Sequence, residues 1–285
     1  MPCLTGKNHK KGGSVTYLKA DTGRAIITNI NSIIKVQNLT KNYGIHLAVD
    51  HIDFEVNKGE VFGFLGPNGA GKTTTIRMLT GLSKSTEGTA SIFGLDVGTE
   101  IVKIKKRIGV VPELSNLYDD LSALDNLIFM AQLYGIPRKE RRPRAEDLLR
   151  VFHLYERKDS FFRTYSRGMK RALTIAAALI HKPELLFLDE PTAGLDVVAA
   201  RSLRNLILNL KNQGTTIFLT THYLEEADIL CDRIAFLVNG KITTIDTPAV
   251  LKSQVQEQTL EEAFMKITGL SPNIMAIEKG GKYVA

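Results

Sequence analysis

The stretch Gly66-Pro67-Asn68-Gly69-Ala70-Gly71-Lys72-Thr73-Thr74 fills every fixed position of the phosphate-binding loop G-x-x-x-x-G-K-[ST], and few folds can carry such a loop. It needs a strand to deliver it and a helix to follow. Val61-Phe62-Gly63-Phe64-Leu65 is an apolar run suited to a strand buried on both faces, and Thr74 to Leu82 reads as helix. A buried strand, a glycine-rich turn and a helix together open a parallel α/β sheet. The glycines let successive backbone N–H groups turn into one concavity, and the helix start adds roughly half a positive charge. Lys72 is placed for the β- and γ-phosphate oxygens and the Thr73 hydroxyl for Mg²⁺, so a nucleoside triphosphate is the predicted ligand.

Elsewhere the pattern repeats that architecture. The first thirty residues show no sustained periodicity and are expected to be loosely ordered, with the fold beginning near Ser32. Ile52, Phe54 and Val56 alternate with polar residues as a half-buried strand, and Ala90 to Phe93 and Ile108 to Val111 are further strands. A helical block follows. Ser122 and Asp125 cap a helix with the stripe Leu124, Leu127, Ile128 and Ala131; Leu148, Val151, Phe152 and Tyr155 mark a second; Ser166 caps a third over Arg167 to Ile180. Leu185 to Leu188 and Thr216 to Thr220 return as strands around a helix at Val197 to Asn212, which predicts a parallel sheet with crossover helices. Asn239-Gly240 signals a tight hairpin, and Thr259 with Glu262 caps a last amphipathic helix.

Composition sets outer limits. At 285 residues, with 44% hydrophobic and 24% charged residues, the chain can bury a substantial core. Its longest apolar stretches fall well short of the roughly 18 residues of a membrane span, and no apolar signal core opens the chain. Cys3 and Cys231 offer neither a disulfide framework nor metal spacing, so a reducing cytoplasm is expected. The net charge of +7 concentrates in residues 1–30, with five basic groups against Asp21, and in Pro137 to Arg171, with twelve basic against five acidic. Neither region interleaves aromatics with its charges, so solvated faces are expected and a nucleic-acid partner is not.

Open α/β sheets bind ligands outside the carboxyl ends of their strands. Three predicted parallel strands end in suitable groups there. One leads into the glycine-rich loop; Leu185 to Leu188 runs into Asp189, placed to hold Mg²⁺ through water, and Glu190, placed to polarise an attacking water; a third ends Thr220-Thr221-His222, presenting an imidazole. Singly, such carboxylates are as easily solvated, and such a histidine is more often a surface residue. Their order behind a phosphate loop favours the chemical reading.

Taken together these motifs resemble the ATP-binding cassette ATPases, the nucleotide-binding subunits of ABC transporters, over about residues 33 to 268. Gly66 to Thr74 resembles their Walker A and Leu185 to Glu190 their Walker B with its catalytic glutamate. Tyr165-Ser166-Arg167-Gly168-Met169 stands at the signature, Ala193-Gly194-Leu195-Asp196 at the D-loop, and His222 at the switch histidine. The resemblance implies a P-loop NTPase of RecA-like type, with a parallel core sheet, an antiparallel β subdomain and an inserted helical subdomain at about 113–175. The ATPase domain would span 32–268, between tails at 1–31 and 269–285. It further implies that Tyr43 stacks on adenine, and that Ser166, Arg167, Gly168, Met169 and Asp196 complete a site in trans when two chains pair head to tail around two ATP. Glu190 and His222 would then order the attacking water.

Two departures stand out. Glu113, in Val110-Val111-Pro112-Glu113, replaces the family's Q-loop glutamine; it remains a competent Mg²⁺ ligand but adds negative charge near the γ-phosphate. Arg167 and Met169 replace a glycine and a glutamine of the signature, a form similar to ATPases that serve separate export permeases. The expected protein is therefore an ATP-hydrolysing subunit working as a homodimer with integral membrane permease subunits, on the cytoplasmic face of the membrane. A soluble cassette ATPase acting on nucleic acid or ribosomes is the alternative, but such proteins usually carry two cassettes or a long coiled-coil insertion. A small-molecule kinase leaves Ser166 to Met169 unexplained.

Overall fold

The computed structural model describes residues 31–270 together with two short paired strands, β1 (Thr16–Leu18) and β2 (Ile26–Thr28). Most of the tails expected at 1–31 and 269–285 falls outside the described residues. A long antiparallel pair, β3 (Ser32–Tyr43) and β4 (His46–Asn57), precedes β5 (Val61–Leu65), which feeds the glycine-rich loop and α1 (Lys72–Leu79). Next come β6 (Glu87–Ile92), β7 (Leu95–Asp96), α2 (Ile101–Lys105) and β8 (Ile108–Val111). Three helices follow, α3 (Ala123–Leu133), α4 (Arg138–Val151) and α5 (Arg167–Leu179). The chain then alternates through β9 (Leu185–Asp189), α6 (Val197–Asn212), β10 (Thr216–Thr221), α7 (Leu224–Leu230), β11 (Arg233–Val238) and β12 (Lys241–Asp246). It closes with α8 (Pro248–Gln254) and α9 (Leu260–Thr268).

Among the described residues 31–270 these strands form two sheets. The larger has the order β12-β11-β5-β10-β9-β8, parallel except for the hairpin strand β12; the smaller, β4-β3-β6-β7, is antiparallel throughout. Every residue of β5, β9 and β10 is buried, as a parallel sheet covered on both faces requires. Period-two alternation divides their side chains. Val61, Leu65, Leu186, Leu188, Ile217 and Leu219 join the helices, whereas Phe62, Phe64, Phe187 and Phe218 turn toward the antiparallel sheet. Phe218 is the hub of that second layer: its ring centroid lies 5.5 Å from those of Phe64 and Phe187, 5.8 Å from Phe62 and 6.0 Å from Phe54 of the other sheet. Phe218→Ala is expected to cost about 3–5 kcal/mol, measured by urea unfolding, because a fully buried ring leaves a cavity between two sheets that cannot both collapse into it. A loss below about 1 kcal/mol would show that the layer repacks.

Local signals hold where they are chemical. Ser122 accepts from the Asp125 amide and Ser166 from that of Met169; Thr259 and Glu262 form a reciprocal capping box. Asn239 and Gly240 have φ of 49° and 78°, the left-handed pair that a two-residue hairpin turn needs. The helix read from Leu148, Val151, Phe152 and Tyr155 differs in extent. It begins at Arg138, and Tyr155 lies beyond it in a short 3-10 turn. Its first half, Arg138 to Arg144, has no buried residue and is supported instead by Arg144–Glu140 and Arg142–Glu146 pairs one turn apart, which an apolar stripe does not register.

Candidate active site

Strand order brings the expected chemistry to one edge. β5, β10 and β9 are neighbours, so the glycine-rich loop, His222 and the Asp189-Glu190 pair all follow the carboxyl ends of adjacent parallel strands. The loop is wedged between its surroundings. A Cβ on Gly66 would stand 2.1 Å from the Leu237 carbonyl oxygen, and one on Gly71, whose φ is +107°, would stand 2.5 Å from that of Ala48. Only glycine permits these approaches, and the amide of Gly240 fixes the loop further by donating to the Ala70 oxygen at 3.0 Å.

Lys72 opens α1, and its side chain folds back under the loop, only 6% exposed. Its ammonium donates to the Gly66 and Pro67 carbonyl oxygens at 2.7 and 3.2 Å and pairs with Glu190 Oε1 at 3.2 Å. The Thr73 hydroxyl donates to Asp189 Oδ1 at 3.2 Å, and Thr220 donates to the same oxygen at 2.6 Å. His222 Nδ1 lies 2.9 Å from Glu190 Oε2. Asp189 and Glu190 are 4% and 7% exposed, so both carboxylates are committed to this cluster rather than to solvent. Glu190 itself has φ +47°, an uncommon conformation for a non-glycine residue.

Burial pushes the Glu190 carboxyl up, but the His222 hydrogen bond and the Lys72 charge outweigh it and hold the pKa below the ordinary glutamate value. Glu190 is therefore a carboxylate at neutral pH, competent to accept a proton. Its Oε1 has no hydrogen-bond partner despite being buried; the Lys72 ammonium is near it without the geometry of a bond. An oxygen left so is positioned for a group not in the structure. The donor set also fits a hard cation: a hydroxyl and a carboxylate oxygen 3.2 Å apart beside a phosphate cradle are Mg²⁺-type ligands, and Mg²⁺ takes few protein ligands beyond those.

The remaining predicted residues sit apart from this cluster. Tyr43 is 47% exposed at the tip of the β3–β4 hairpin, with the Lys41 ammonium 4.8 Å from its ring centre. Its cross-strand partner is His46, and Val49, farther down β4, has its side chain 3.3 Å from a Cβ placed on Gly71; the hairpin thus overhangs the loop. Glu113 is exposed, and its backbone oxygen rather than its carboxylate is engaged, by Arg171 at 3.3 Å. Ser166, Gly168, Met169 and Asp196 line a groove of 1350 Å³ between α4, α5 and α6 to which residues 66–74 do not contribute. Arg167 donates to the Gly194 oxygen at 2.9 Å, and Asp196 caps α6 through the Ala199 amide at 2.8 Å, so signature and D-loop segments are joined within the chain.

Sequence reasoning missed Arg171. Its guanidinium is buried and donates to backbone oxygens: Nε to Pro191, Nη2 to Asp189, Nη1 to Pro112 and Glu113. Burial lowers its pKa to about 10, partly offset by Asp189, Glu113 and Glu190, and it stays charged at neutral pH. Nothing distinguishes it from other basic residues of an amphipathic helix before the fold is known.

The sequence model of the family described as ABC transporter matches residues 49–193, from β4 through the carboxylate pair. The linearmycin resistance ATP-binding protein LnrL of Bacillus subtilis is 41% identical over 228 residues, covering 80% of this chain and 73% of that protein. A fluoroquinolones export ATP-binding protein of Mycobacterium tuberculosis is 43% identical, covering 77% and 72%. Among solved structures, a dimeric ATP-binding cassette in a post-hydrolysis state bound to ADP and Pi superposes with a TM-score of 0.69 at 28% identity, covering 75% of this chain and 98% of that one. Likeness over this span takes in both the phosphate loop and the carboxylates beside it, and the chain accordingly belongs to the ABC transporter family, as an ATP-binding and ATP-hydrolysing subunit.

Proposed function

We propose that two copies of this chain pair head to tail around two ATP and drive a separate membrane permease that exports its cargo. The observation that carries the catalytic part is the continuous cluster of Lys72, Thr73, Asp189, Glu190 and His222. In this reading the amides of residues 66–74 and Lys72 bind the β- and γ-phosphates, and Tyr43 covers adenine. Glu190, steadied by His222, accepts a proton from the attacking water. Thr73 and Asp189, with Glu113 as a further oxygen donor, would hold Mg²⁺, which would supply charge neutralisation at the phosphates.

Pairing of two chains is supported by the place of Ser166. It caps a helix in a groove that the phosphate loop does not share, an arrangement consistent with its helix N-terminus facing the phosphates of a second chain. Arg167 then adds a cation where the γ-phosphate of the partner's site would lie. Asp196, bound to its own helix, contributes through the shape of the 193–196 turn. Among the described residues no helix is long and apolar enough to cross a membrane; in this reading a separate permease spans it, with this subunit at its cytoplasmic face. The export reading rests on the drug-resistance and export relatives. The division into a core at 32–268 with a helical subdomain at 113–175 takes in α3, α4 and most of α5.

Affinity capture of the tagged chain from gently solubilised membranes tests this. A multispanning protein retained at near-equal stoichiometry supports the reading, whereas capture with ribosomes or nucleic acid only from the soluble fraction overturns it. For adenine, Tyr43→Ala is expected to weaken ATP several-fold while leaving inorganic triphosphate unchanged, since stacking on a base is worth about 1–3 kcal/mol. Titration calorimetry with both ligands decides, and equal losses would exclude stacking.

A further inference from the structure

Glu190 carries the expected chemistry in a backbone conformation that its side chain disfavours, with φ +47°. Something must hold it there. Its own amide donates to the Thr220 hydroxyl and carbonyl oxygens at 3.1 and 3.2 Å. The carbonyls on either side, of Asp189 and Pro191, are both taken by one guanidinium, at 2.7 Å from Nη2 and 2.9 Å from Nε of Arg171. The third nitrogen of the same group reaches a different loop, donating to the oxygens of Pro112 and Glu113. Arg171 in turn belongs to α5, the helix that Ser166 caps.

The geometry points to Arg171 as the positioning residue for Glu190, setting the carboxylate's direction through the carbonyls of the two neighbouring residues and tying it to the loop that carries Glu113. This rests on the reading of Glu190 as the proton acceptor. A planar fork with five donors on three nitrogens holds carbonyls of two loops in a fixed geometry; an ammonium has three donors on a single nitrogen and would have to reach both loops from one point. Arg171 thereby joins the 112–113 loop to residues 189–191 beyond the end of the β8–β9 ladder.

Arg171→Lys and Arg171→Gln, each in the wild-type and the Glu190→Gln backgrounds, test the assignment by phosphate release. In the wild-type background kcat is expected to fall by about tenfold or more for Gln and less for Lys, with KM for ATP within about threefold. In the Glu190→Gln background the residual rate is expected to stay within about twofold, because the group that Arg171 positions is already gone. Amide exchange in Arg171→Lys should rise together at 112–114 and 189–192. Equal losses in both backgrounds, or parallel changes in kcat and KM, would reduce Arg171 to general structural support, as would exchange that rises in one loop only. Should the Gln variant fail to fold, the Lys variant carries the comparison. Near-normal turnover by Glu190→Gln alone would instead remove the underlying role of Glu190, a separate and recognisable result.

Discussion

Glu190→Gln is expected to lower turnover by about 10²–10⁴-fold while ATP still binds, leaving a dimer that persists on size-exclusion chromatography in ATP and dissolves in its absence. The substitution keeps the shape and an acceptor for His222 at the 2.9 Å position but removes the charge that would take a proton. It also releases Lys72 from its 3.2 Å pair, so phosphate binding should be no weaker than before. Turnover within about threefold of the wild type would exclude Glu190 as the essential base.

Lys72→Ala acts in the opposite sense and should weaken ATP by about 30-fold or more, with hydrolysis lost alongside. Removing one partner of a buried charge pair costs about 2–5 kcal/mol, and the phosphate loses its only side-chain cation from this loop. Glu190 is left buried beside His222 alone, with burial free to raise its pKa. The sign follows from the wild-type shift. A depressed carboxyl pKa contributes stability above the ordinary glutamate range and loses it as pH falls through the folded value; in Lys72→Ala that contribution shrinks. Nucleotide affinity by calorimetry, with acid unfolding as a second readout, checks both. Unchanged ATP affinity would contradict the phosphate-loop assignment.

The remaining variants act at sites whose legibility differed. Ser122, Ser166, Thr259 and the Asn239-Gly240 turn could be read beforehand because caps and tight turns depend on side chains within three residues of the backbone they serve. Thr247-Pro248 at the start of α8 carries the same kind of signal, whereas α7, seven residues long and without a side-chain cap, offers almost none. The resemblance implies Glu113 as a metal ligand; its carboxylate is exposed and its carbonyl accepts from Arg171.

What the amino-acid order determined by itself was local and periodic: a phosphate loop between a buried strand and a helix, carboxylates at a strand end, caps and turns. Each depends on contacts a few residues apart or on the period of side-chain exposure. The tertiary structure alone decided which distant groups meet. Strand order set β5 beside β10 and β10 beside β9, so that Lys72, Asp189, Glu190 and His222 share one cluster, in which His222 and Lys72 hold the Glu190 carboxyl below its ordinary pKa. It alone buried Arg171 between two loops. An arginine's reach and desolvation depend on what packs around it, and hydrophobic pattern does not encode that.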